Sequence, residues 1–282
     1  MMQLKIGNDI VKVRKKVPFD FANVGVSRFV RKGADCIEIN PIFFNQQVPN
    51  VRRYKLELQK GHWSFINYQP LNPIPSSSYS DDEDYDLLSI ACDNLIFMIL
   101  ESPHENEFDA NFNSIAPAQG STGIKIKDHI KDVLSDIIKL HSSVDGIYDF
   151  CLINSVRSQT SLFYLHKQPL KKNRGLRNEI WKYLWNDSTS RQEYLLNVLN
   201  NSHYKNRIVI NACTSPIKYI LSNFLHEHSI DFVSINHPSG WFDIVNRTVK
   251  RGCDMICPKC KNRILTSIYE CSYCKLKFVK RK

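Results

Sequence analysis

The sequence has no long hydrophobic run, since none of its apolar stretches approaches the roughly 20 residues that a membrane-spanning helix needs. Residues 1–16 alternate charged with single apolar residues, which is not the pattern of a secretory signal. No internal repeat is present. Hydrophobic residues make up 43% and charged residues 23% of the chain, a balance that excludes a mostly disordered protein. We therefore expect a soluble, cytoplasmic protein without a membrane partner.

Acidic residues are scarce relative to basic ones, with 28 Asp and Glu against 38 Lys and Arg and a formal net charge of +10. Such an excess favours a polyanionic partner, either nucleic acid or an anionic membrane surface. The alternative is that the positive charge only keeps the protein soluble. The nine cysteines are an odd number, and four of them form two close pairs near the C-terminus. In a reducing cytosol this pattern favours metal ligation over disulfides.

The length of 282 residues favours one main core with attachments. Residues 1–90 are predicted to form a β-rich accessory region, because short segments rich in β-branched or alternating apolar residues lie at 10–13, 37–39 and 54–58. Residues 69–86 contain three prolines, a run of serines and four consecutive acids, which is typical of a loop or linker.

After this linker the chain alternates apolar strand patterns with helical patterns. Strands are predicted over 94–100, 148–153, 207–212 and 230–235, and helices over 124–140, 176–185, 191–199 and 216–228. This alternation predicts an α/β domain over residues 91–252, with three α/β/α layers around a central, mostly parallel sheet. In such sheets the loops at the carboxyl ends of the strands build the functional site.

Two CxxC pairs, Cys257 with Cys260 and Cys271 with Cys274, are separated by ten residues. Four thiolates at this spacing can hold one tetrahedral zinc ion in a closed, structural site. We therefore predict a zinc ribbon over residues 253–282, whose folding energy comes mostly from the metal. The many lysines and arginines around it favour contact with nucleic acid, and a protein-binding knuckle is the alternative.

Five unusual motifs fall at the ends of the predicted strands or the starts of the helices. The first strand runs into Glu-Ser-Pro-His at 101–104, and Ala-Pro-Ala-Gln-Gly at 116–120 opens the long helix. The second strand ends at Asn154, and His-Pro-Ser at 237–239 follows the fourth. A Lys-Lys-Asn-Arg segment at 171–174 precedes a helix that carries a glutamate. Taken in order, these motifs resemble those of the uracil-DNA glycosylase superfamily, and the likeness extends over about residues 94–250.

The resemblance implies a set of site residues. Glu101 falls on the family's motif glutamate, Asn154 on its base-reading asparagine and His237 on its motif histidine. These three are the predicted catalytic residues. The predicted substrate-binding residues lie in the same motifs or directly after them: Ser102, Pro103, His104, Ala118, Gln119, Gly120, Ser239 and Trp241.

Two departures from the family pattern affect these assignments. Ser102 stands where some branches carry an aspartate that activates water. One of the acids Glu105, Glu107 and Asp109 can replace it, or all three can be solvated. Ala118 stands where many members have a phenylalanine that stacks on the flipped base, so we expect a wider pocket.

The chemistry of N-glycosidic cleavage suits these residue types. The sugar becomes positively charged and the departing base negatively charged, so a histidine donor aimed at a base carbonyl contributes about 3 kcal/mol. A carboxylate orients the attacking water, and an asparagine amide reads the hydrogen-bonding edge of a flipped pyrimidine. The backbone amides of residues 120–123 suit a phosphate, because they lie at a helix N-terminus. Trp241 could wedge into the gap that the flipped base leaves.

Each residue also has a structural alternative. Glu101 can be an ion-pair or helix-cap residue, and Asn154 can cap a turn. His104 and His237 can be satisfied structural histidines, and Trp241 can belong to the core.

The expectation is therefore a monomeric, monofunctional DNA glycosylase with a structural zinc ion and no catalytic cofactor. The wider pocket favours a bulky, hypermodified pyrimidine of phage DNA, and hence an antiviral role. Two alternatives stay open: a repair glycosylase for uracil or another deaminated base, and a DNA-binding module that has lost catalysis. A metal-dependent nuclease is disfavoured, because the paired cysteines would close their site.

Overall fold

The computed structural model describes the backbone of residues 2–6, 9–13, 30–32, 36–39, 47–68, 93–109, 111, 113–139, 143–158, 160, 170–187, 189–200, 204–215, 217–241, 250–251, 254–256 and 263–265. The strands in these segments are β1 (Met2–Ile6), β2 (Asp9–Val13), β3 (Val30–Lys32), β4 (Cys36–Ile39), β5 (Val51–Gln59), β6 (His62–Tyr68), β7 (Asn94–Leu100), β8 (Gly146–Asn154), β9 (Asn206–Asn211), β10 (Val233–Ser234), β11 (Lys250–Arg251), β12 (Asp254–Ile256) and β13 (Arg263–Leu265). The α-helices are α1 (Ser121–Ile137), α2 (Leu170–Asp187), α3 (Thr189–Asn200) and α4 (Ile217–Glu227).

A mixed sheet in the order β11-β10-β9-β7-β8-β5-β6 forms the centre of the structure. Its four inner strands β10, β9, β7 and β8 are parallel, and antiparallel strands flank them on both sides. The register aligns Leu100 with Asn154 and Ile99 with Asn211, so three strands end at nearly the same level. The α/β class is confirmed, and the loops that follow these strands meet at one edge of the sheet.

The apolar sequence of β7 explains its central position. Ile96, Met98 and Leu100 belong to one buried hydrophobic cluster, and alternate residues such as Phe97 and Ile99 belong to a second. The first cluster also contains the buried side of α1, and the second contains residues of α2, α3 and α4. Because successive side chains of a strand point to opposite faces, both faces of β7 are removed from water. Each such side chain contributes about 2 kcal/mol when fully buried.

Helix α1 is amphipathic, as its sequence predicts. Its buried residues recur at helical spacing, namely Gly123, Ile126, Ile130, Val133, Leu134 and Ile137. The helix begins three residues earlier than the hydrophobic pattern indicates, directly after Gly120. A Cβ at Gly120 would lie 2.9 Å from Nδ2 of Asn106, a contact that a shift of this exposed side chain would relieve.

The predicted boundary at residue 90 is wrong for residues 51–68. Strand β5 pairs antiparallel with β8 along its length, and β6 pairs with β5, so this hairpin extends the central sheet. Strand β6 was not predicted. Strands β1 to β4 form a separate four-stranded sheet in the order β2-β1-β4-β3, which agrees with the predicted β-rich character of the first segment.

Other sequence predictions have mixed outcomes. Helices α1, α3 and α4 and strands β2, β4, β5, β7, β8 and β9 are confirmed to within three residues. Helix α2 begins at Leu170 instead of residue 176, and the strand predicted over 230–235 is only the two-residue β10. Strands β12 and β13 form an antiparallel pair, and along the chain they precede and follow the first CxxC motif. The linker at 69–86 and the four predicted zinc ligands Cys257, Cys260, Cys271 and Cys274 lie outside the described residues. Among the helices described, none is long and apolar enough to cross a membrane.

Candidate functional site

Backbone hydrogen bonds tie together the loops at the carboxyl edge of the sheet. The amide of Ser155 donates to the carbonyl of Leu100 over 2.8 Å, and the amide of Ala212 donates to that of Ile99 over 2.9 Å. The amide of Ile235 donates to Asn211 over 3.1 Å. The ends of β7, β8, β9 and β10 are therefore held in fixed relation, which is the preorganisation that a site requires.

Glu101 follows β7 directly, and its carboxylate is fully engaged. Oε1 accepts from Nη1 of Arg177 over 2.7 Å, and both side chains of this ion pair are nearly buried. Oε2 accepts from the backbone amide of Thr214 over 3.1 Å and from its hydroxyl. Glu101 is therefore an ion-pair residue, as the structural alternative proposes. Each of its carboxylate oxygens accepts at least one hydrogen bond.

His237 stands at the start of a single 3₁₀ turn, Pro238–Gly240. Its Nδ1 accepts from the backbone amide of Ser239 over 3.2 Å and lies 2.8 Å from the hydroxyl oxygen of Ser239. Since Nδ1 is an acceptor, the proton of a neutral ring sits on Nε2. Ser239, predicted to bind substrate, therefore orients the predicted catalytic histidine.

Burial lowers the pKa of His237 below its ordinary value, because the low-dielectric surroundings disfavour the cation. The negative charge of Glu101 opposes this shift, and the positive charges of Arg177 and Lys218 support it. Lys218 is buried and donates from Nζ to the carbonyl of Ile235, two residues before the histidine. The charge of Glu101 therefore acts on His237. Burial and the two nearby cations outweigh it and favour the neutral imidazole.

Glu107 is the most perturbed acid at this edge. It lies in the 3₁₀ turn Glu105–Glu107 after β7 and is only 3% exposed. Oε1 accepts from the backbone amide of Ala118 over 2.9 Å, and Oε2 accepts from Nδ2 of Asn154 over 3.2 Å. Burial raises the pKa of Glu107 to about 7, although these two hydrogen bonds, the backbone of His104 and the charge of Arg53 act in the opposite direction. A carboxyl group of this kind can exchange a proton near neutral pH.

Asn154 ends β8 and is 3% exposed. Its backbone amide donates to Oδ1 of Asn50 over 3.2 Å, and its side-chain Nδ2 donates to Glu107. Its Oδ1 is buried and has no hydrogen-bond partner among the residues that the structure describes. Because an unsatisfied buried acceptor costs about 1–3 kcal/mol, this oxygen is suited to receive an N–H group from a ligand.

His104 has a well-defined local role. Its Nδ1 accepts from the backbone amide of Asn106 over 3.2 Å, and burial lowers the pKa of the ring to about 4. The imidazole is therefore neutral at physiological pH, and Nδ1 is the acceptor nitrogen. These contacts support the structural alternative for this residue, which also helps to form the tight loop around Glu107.

The structure corrects two sequence predictions. Trp241 is fully buried and donates from Nε1 to the carbonyl of Asn236 over 2.8 Å, so it belongs to the core and is not a wedge. Ala118 is 2% exposed and belongs to the same buried hydrophobic cluster, so its small side chain does not open a pocket. Ala118 instead contributes its backbone, with φ of 57°, a left-handed conformation that costs a residue with a Cβ roughly 1–2 kcal/mol. This conformation accompanies the hydrogen bond from its amide to Glu107.

The remaining predicted residues lie around this edge in supporting positions. The hydroxyl of Ser102 is 2.6 Å from that of Thr160, and Pro103 is buried. Gly120 is the N-cap residue that precedes α1, and Nε2 of Gln119 is buried without a partner among the described residues. None of these contacts assigns a ligand by itself.

A cavity of about 310 Å³ opens beside the end of β8. It is lined by Gln47, Ile153, Asn154, Ser155, Arg157, Arg191, Tyr194 and Leu195. Of the three predicted catalytic residues, only Asn154 lines it. The structure therefore groups Glu101 with His237 and groups Asn154 with Glu107, and the described cavity lies on the side of Asn154.

Sequence reasoning missed several residues at this edge. Thr214 lies in the loop after β9, at the same edge of the sheet as the other strand-end residues. Its position after a predicted strand was the signal that could have found it. Arg177 lies about one helical turn after the basic segment at 171–174. Its place in the predicted helix was the only signal for it. Asn50 precedes β5 and carried no signal, since the pairing of β5 with β8 was not predicted.

The chain was compared with models of protein families, with curated proteins and with solved structures. None of the three comparisons finds a match. The likeness to the uracil-DNA glycosylase superfamily therefore rests on the motif residues and on their positions at the edge of the sheet.

Proposed function

We propose that the protein is a DNA glycosylase with a three-layer α/β/α core, related to the uracil-DNA glycosylase superfamily. It hydrolyses the bond between a modified pyrimidine and its sugar and leaves an abasic site. The observation that carries this proposal is the pair formed by Glu107 and Asn154. A buried acid with a pKa near 7 is held against the amide that the motif likeness assigns to base recognition.

Glu107 is the proposed water activator, in place of the aspartate that Ser102 replaces. Above about pH 7 its carboxylate accepts a proton from water as the water attacks the sugar carbon C1′. The glycosidic bond breaks, its electrons leave with the base, and the proton passes to Glu107. Asn154 is in direct contact with this acid, so base recognition and water activation occur side by side.

His237 is the proposed donor to the leaving base. Its proton sits on Nε2, because Nδ1 accepts from Ser239, and its lowered pKa keeps the ring neutral. A neutral donor stabilises the anionic base without transferring a full proton. Glu101 is then a positioning residue, since its ion pair with Arg177 sets the electrostatic surroundings of His237.

DNA is the proposed partner, in agreement with the net charge of +10. The proposed zinc ribbon at 253–282 supplies a basic anchor that holds the strand while the base is flipped out. We propose that the protein acts as a cytoplasmic monomer, without a catalytic metal or redox cofactor. The burial of Ala118 removes the wider pocket from which a hypermodified phage base and an antiviral role were expected, so neither belongs to this proposal.

The test is to incubate the purified protein with uracil-containing DNA, with unmodified DNA and with hypermodified phage DNA. Mass spectrometry of the released small molecules identifies the excised base, and alkali treatment reveals abasic sites. Glu107→Gln should abolish release. Asp136→Asn is the matched control, because it makes the same change in an exposed ion pair on α1.

Each outcome distinguishes the proposal from its alternatives. Release of uracil at low enzyme concentration would assign a repair glycosylase. Tight, salt-sensitive DNA binding without any released base would assign an inert binding module, and the saturated carboxylate of Glu101 is the observation that favours it.

A further inference from the structure

The loop after β10 carries His237, and four consecutive carbonyls of this loop accept a hydrogen bond. Those of residues 235 and 236 accept from Nζ of Lys218 and from Nε1 of Trp241. Those of residues 237 and 238 accept from the backbone amides of residues 240 and 241, which closes the 3₁₀ turn. The turn thus uses its own backbone, whereas its attachment to the sheet depends on the side chains of Lys218 and Trp241.

Lys218 takes part in a closed ring of hydrogen bonds with two other buried residues. The amide of Ile235 donates to the carbonyl of Asn211 over 3.1 Å, and the carbonyl of Ile235 accepts from Nζ of Lys218. Nδ2 of Asn211 in turn donates to the carbonyl of Lys218 over 3.0 Å. None of the three residues is more than 7% exposed. Because Ile235 lies two residues before His237, this ring fixes the point from which the histidine loop leaves the sheet.

The backbone of Lys218 also connects to the loop of Glu101. The amide of Lys218 donates to the carbonyl of Thr214 over 2.9 Å. Thr214 in turn donates to the carboxylate of Glu101 from both its amide and its hydroxyl. The first turn of α4 therefore links the Glu101 carboxylate to the loop of His237, and Lys218 is the residue that both connections share.

The position of Lys218 is unfavourable for a cation. It lies in the first turn of α4, where the helix dipole disfavours positive charge, and the residue is only 7% exposed. Methionine would fill a similar volume without either cost. Residues that break such local rules are expected where they have a task besides stability. What Lys218 supplies and methionine does not is a donor to the carbonyl of Ile235 and a positive charge near His237.

Three charged groups among the described residues act on His237, and each lies on a different element. Glu101 lies in the loop after β7, Arg177 in α2 and Lys218 in α4. Glu101 raises the pKa of the imidazole, whereas burial and the two cations lower it. Lys218 therefore acts on the histidine through its charge as well as through its hydrogen bond.

We infer that Lys218 is a positioning residue, which holds the loop of His237 through the carbonyl of Ile235 and so fixes the direction in which the imidazole donates. Ser239 determines which ring nitrogen carries the proton, and Lys218 determines where the ring lies. The charge of Lys218 adds to this role, because it favours the neutral imidazole. In its effect on catalysis the inference rests on the proposed function, whereas its effect on His237 itself does not.

The experiment compares Lys218→Met, which removes the donor and the charge, with Lys218→Arg, which keeps both. NMR titration of histidine-labelled protein follows the imidazole of His237, identified as the resonance that His237→Asn lacks. The pKa of His237 should be higher in Lys218→Met than in the wild type, because a nearby cation is lost, and nearly unchanged in Lys218→Arg. Lys205→Met is the matched control, because it makes the same change at an exposed lysine that pairs with Asp93.

Base release from DNA supplies the second measurement. Lys218→Met should lower kcat about tenfold to a hundredfold and leave KM within about twofold, because a misplaced donor is felt mainly in the transition state. Lys218→Arg should recover most of this loss. A lysine with a purely structural role would lower the stability without moving the pKa of His237. If Lys218→Met does not fold, Lys218→Gln replaces it, because glutamine is polar and uncharged and should raise the pKa of His237 in the same way.

An unchanged pKa of His237 in the uncharged variant would overturn the inference, and so would full base release by that variant. A wild type that releases no base from any DNA would refute the proposed function instead. The titration then decides the inference alone: a raised pKa in the uncharged variant, with the wild-type value in Lys218→Arg and Lys205→Met, would retain Lys218 as the residue that positions His237.

Discussion

The buried carboxyl of Glu107 should make the stability of the protein depend on pH in a way that one substitution removes. Burial raises its pKa from 4.5 to about 7. In the unfolded chain the group loses its proton near pH 4.5, whereas in the folded chain it keeps the proton until about pH 7. Folding therefore takes up a proton in this window, and stability falls as the pH rises from 4.5 to 7. At about 1.4 kcal/mol per tenfold change in proton affinity, the total loss is roughly 3 kcal/mol.

Glu107→Gln is the perturbation that isolates this effect. Glutamine keeps an oxygen for the amide of Ala118, and its amide nitrogen can face Asn154 if that side chain turns its unpaired Oδ1 inward. The variant should therefore fold, and it should be more stable than the wild type above pH 7, where the wild type carries a buried charge. Below pH 4.5 the wild type carries the neutral acid and this advantage should disappear.

The assay is urea unfolding followed by tryptophan fluorescence between pH 4 and pH 8. The difference in unfolding free energy between the variant and the wild type should change by roughly 3 kcal/mol over this range. Comparing two variants cancels the contributions of all other titrating groups. Parallel stability curves for the two proteins would refute the assignment of a raised pKa to Glu107, and with it the proposed water activator.

Four further outcomes are expected. If Glu107 activates water, the rate of base release should rise with pH to a plateau above about pH 7, and a rate independent of pH between 5 and 8 would contradict this role. Arg177→Met leaves the carboxylate of Glu101 buried without its cation and should cost about 3 kcal/mol in urea unfolding, whereas a change below 1 kcal/mol would show a weak ion pair. Trp241→Ala should cost about 3–5 kcal/mol through the cavity it leaves, and an unchanged stability with weaker DNA binding would restore the wedge role. Metal analysis of the purified chain should find one zinc ion, and its removal by a chelator should weaken DNA binding by unfolding the ribbon, whereas a metal-free chain would refute the ribbon.

Local sequence patterns predicted most of the fold at this edge. Strand β7 begins and ends at residues 94 and 100, as its apolar run predicts. A strand that is buried on both faces carries apolar residues almost continuously, so its bounds are visible in the sequence. Helix α1 shows one buried stripe, and its periodicity was visible without tertiary information. The hairpin of β5 and β6 was misassigned, since it joins the sheet by pairing with β8, almost 100 residues later in the chain. No local pattern reports such a contact.

The candidate site shows the same limit. Strand-end position correctly placed Glu101, Asn154 and His237 at one edge of the sheet, since parallel strands end together. It did not indicate which acid has the raised pKa, because Glu101 and Glu107 lie in one loop, and only the fold places the first in an ion pair and buries the second more deeply. Nor could it separate a core tryptophan from an exposed one, because a single aromatic residue in a loop has no periodicity.

In the proposed glycosylase, the contact between Glu107 and Asn154 has a consequence for how a base is distinguished. The ionised acid accepts from Nδ2, which leaves the carbonyl oxygen of the amide for the ligand. A protonated acid would instead offer its hydroxyl to that oxygen, and the amide would rotate by half a turn and present its nitrogen. The protonation state of Glu107 therefore decides whether Asn154 presents a hydrogen-bond acceptor or a donor to the ligand. The preference between cytosine-like and uracil-like edges is then coupled to acidity, with no change in the backbone.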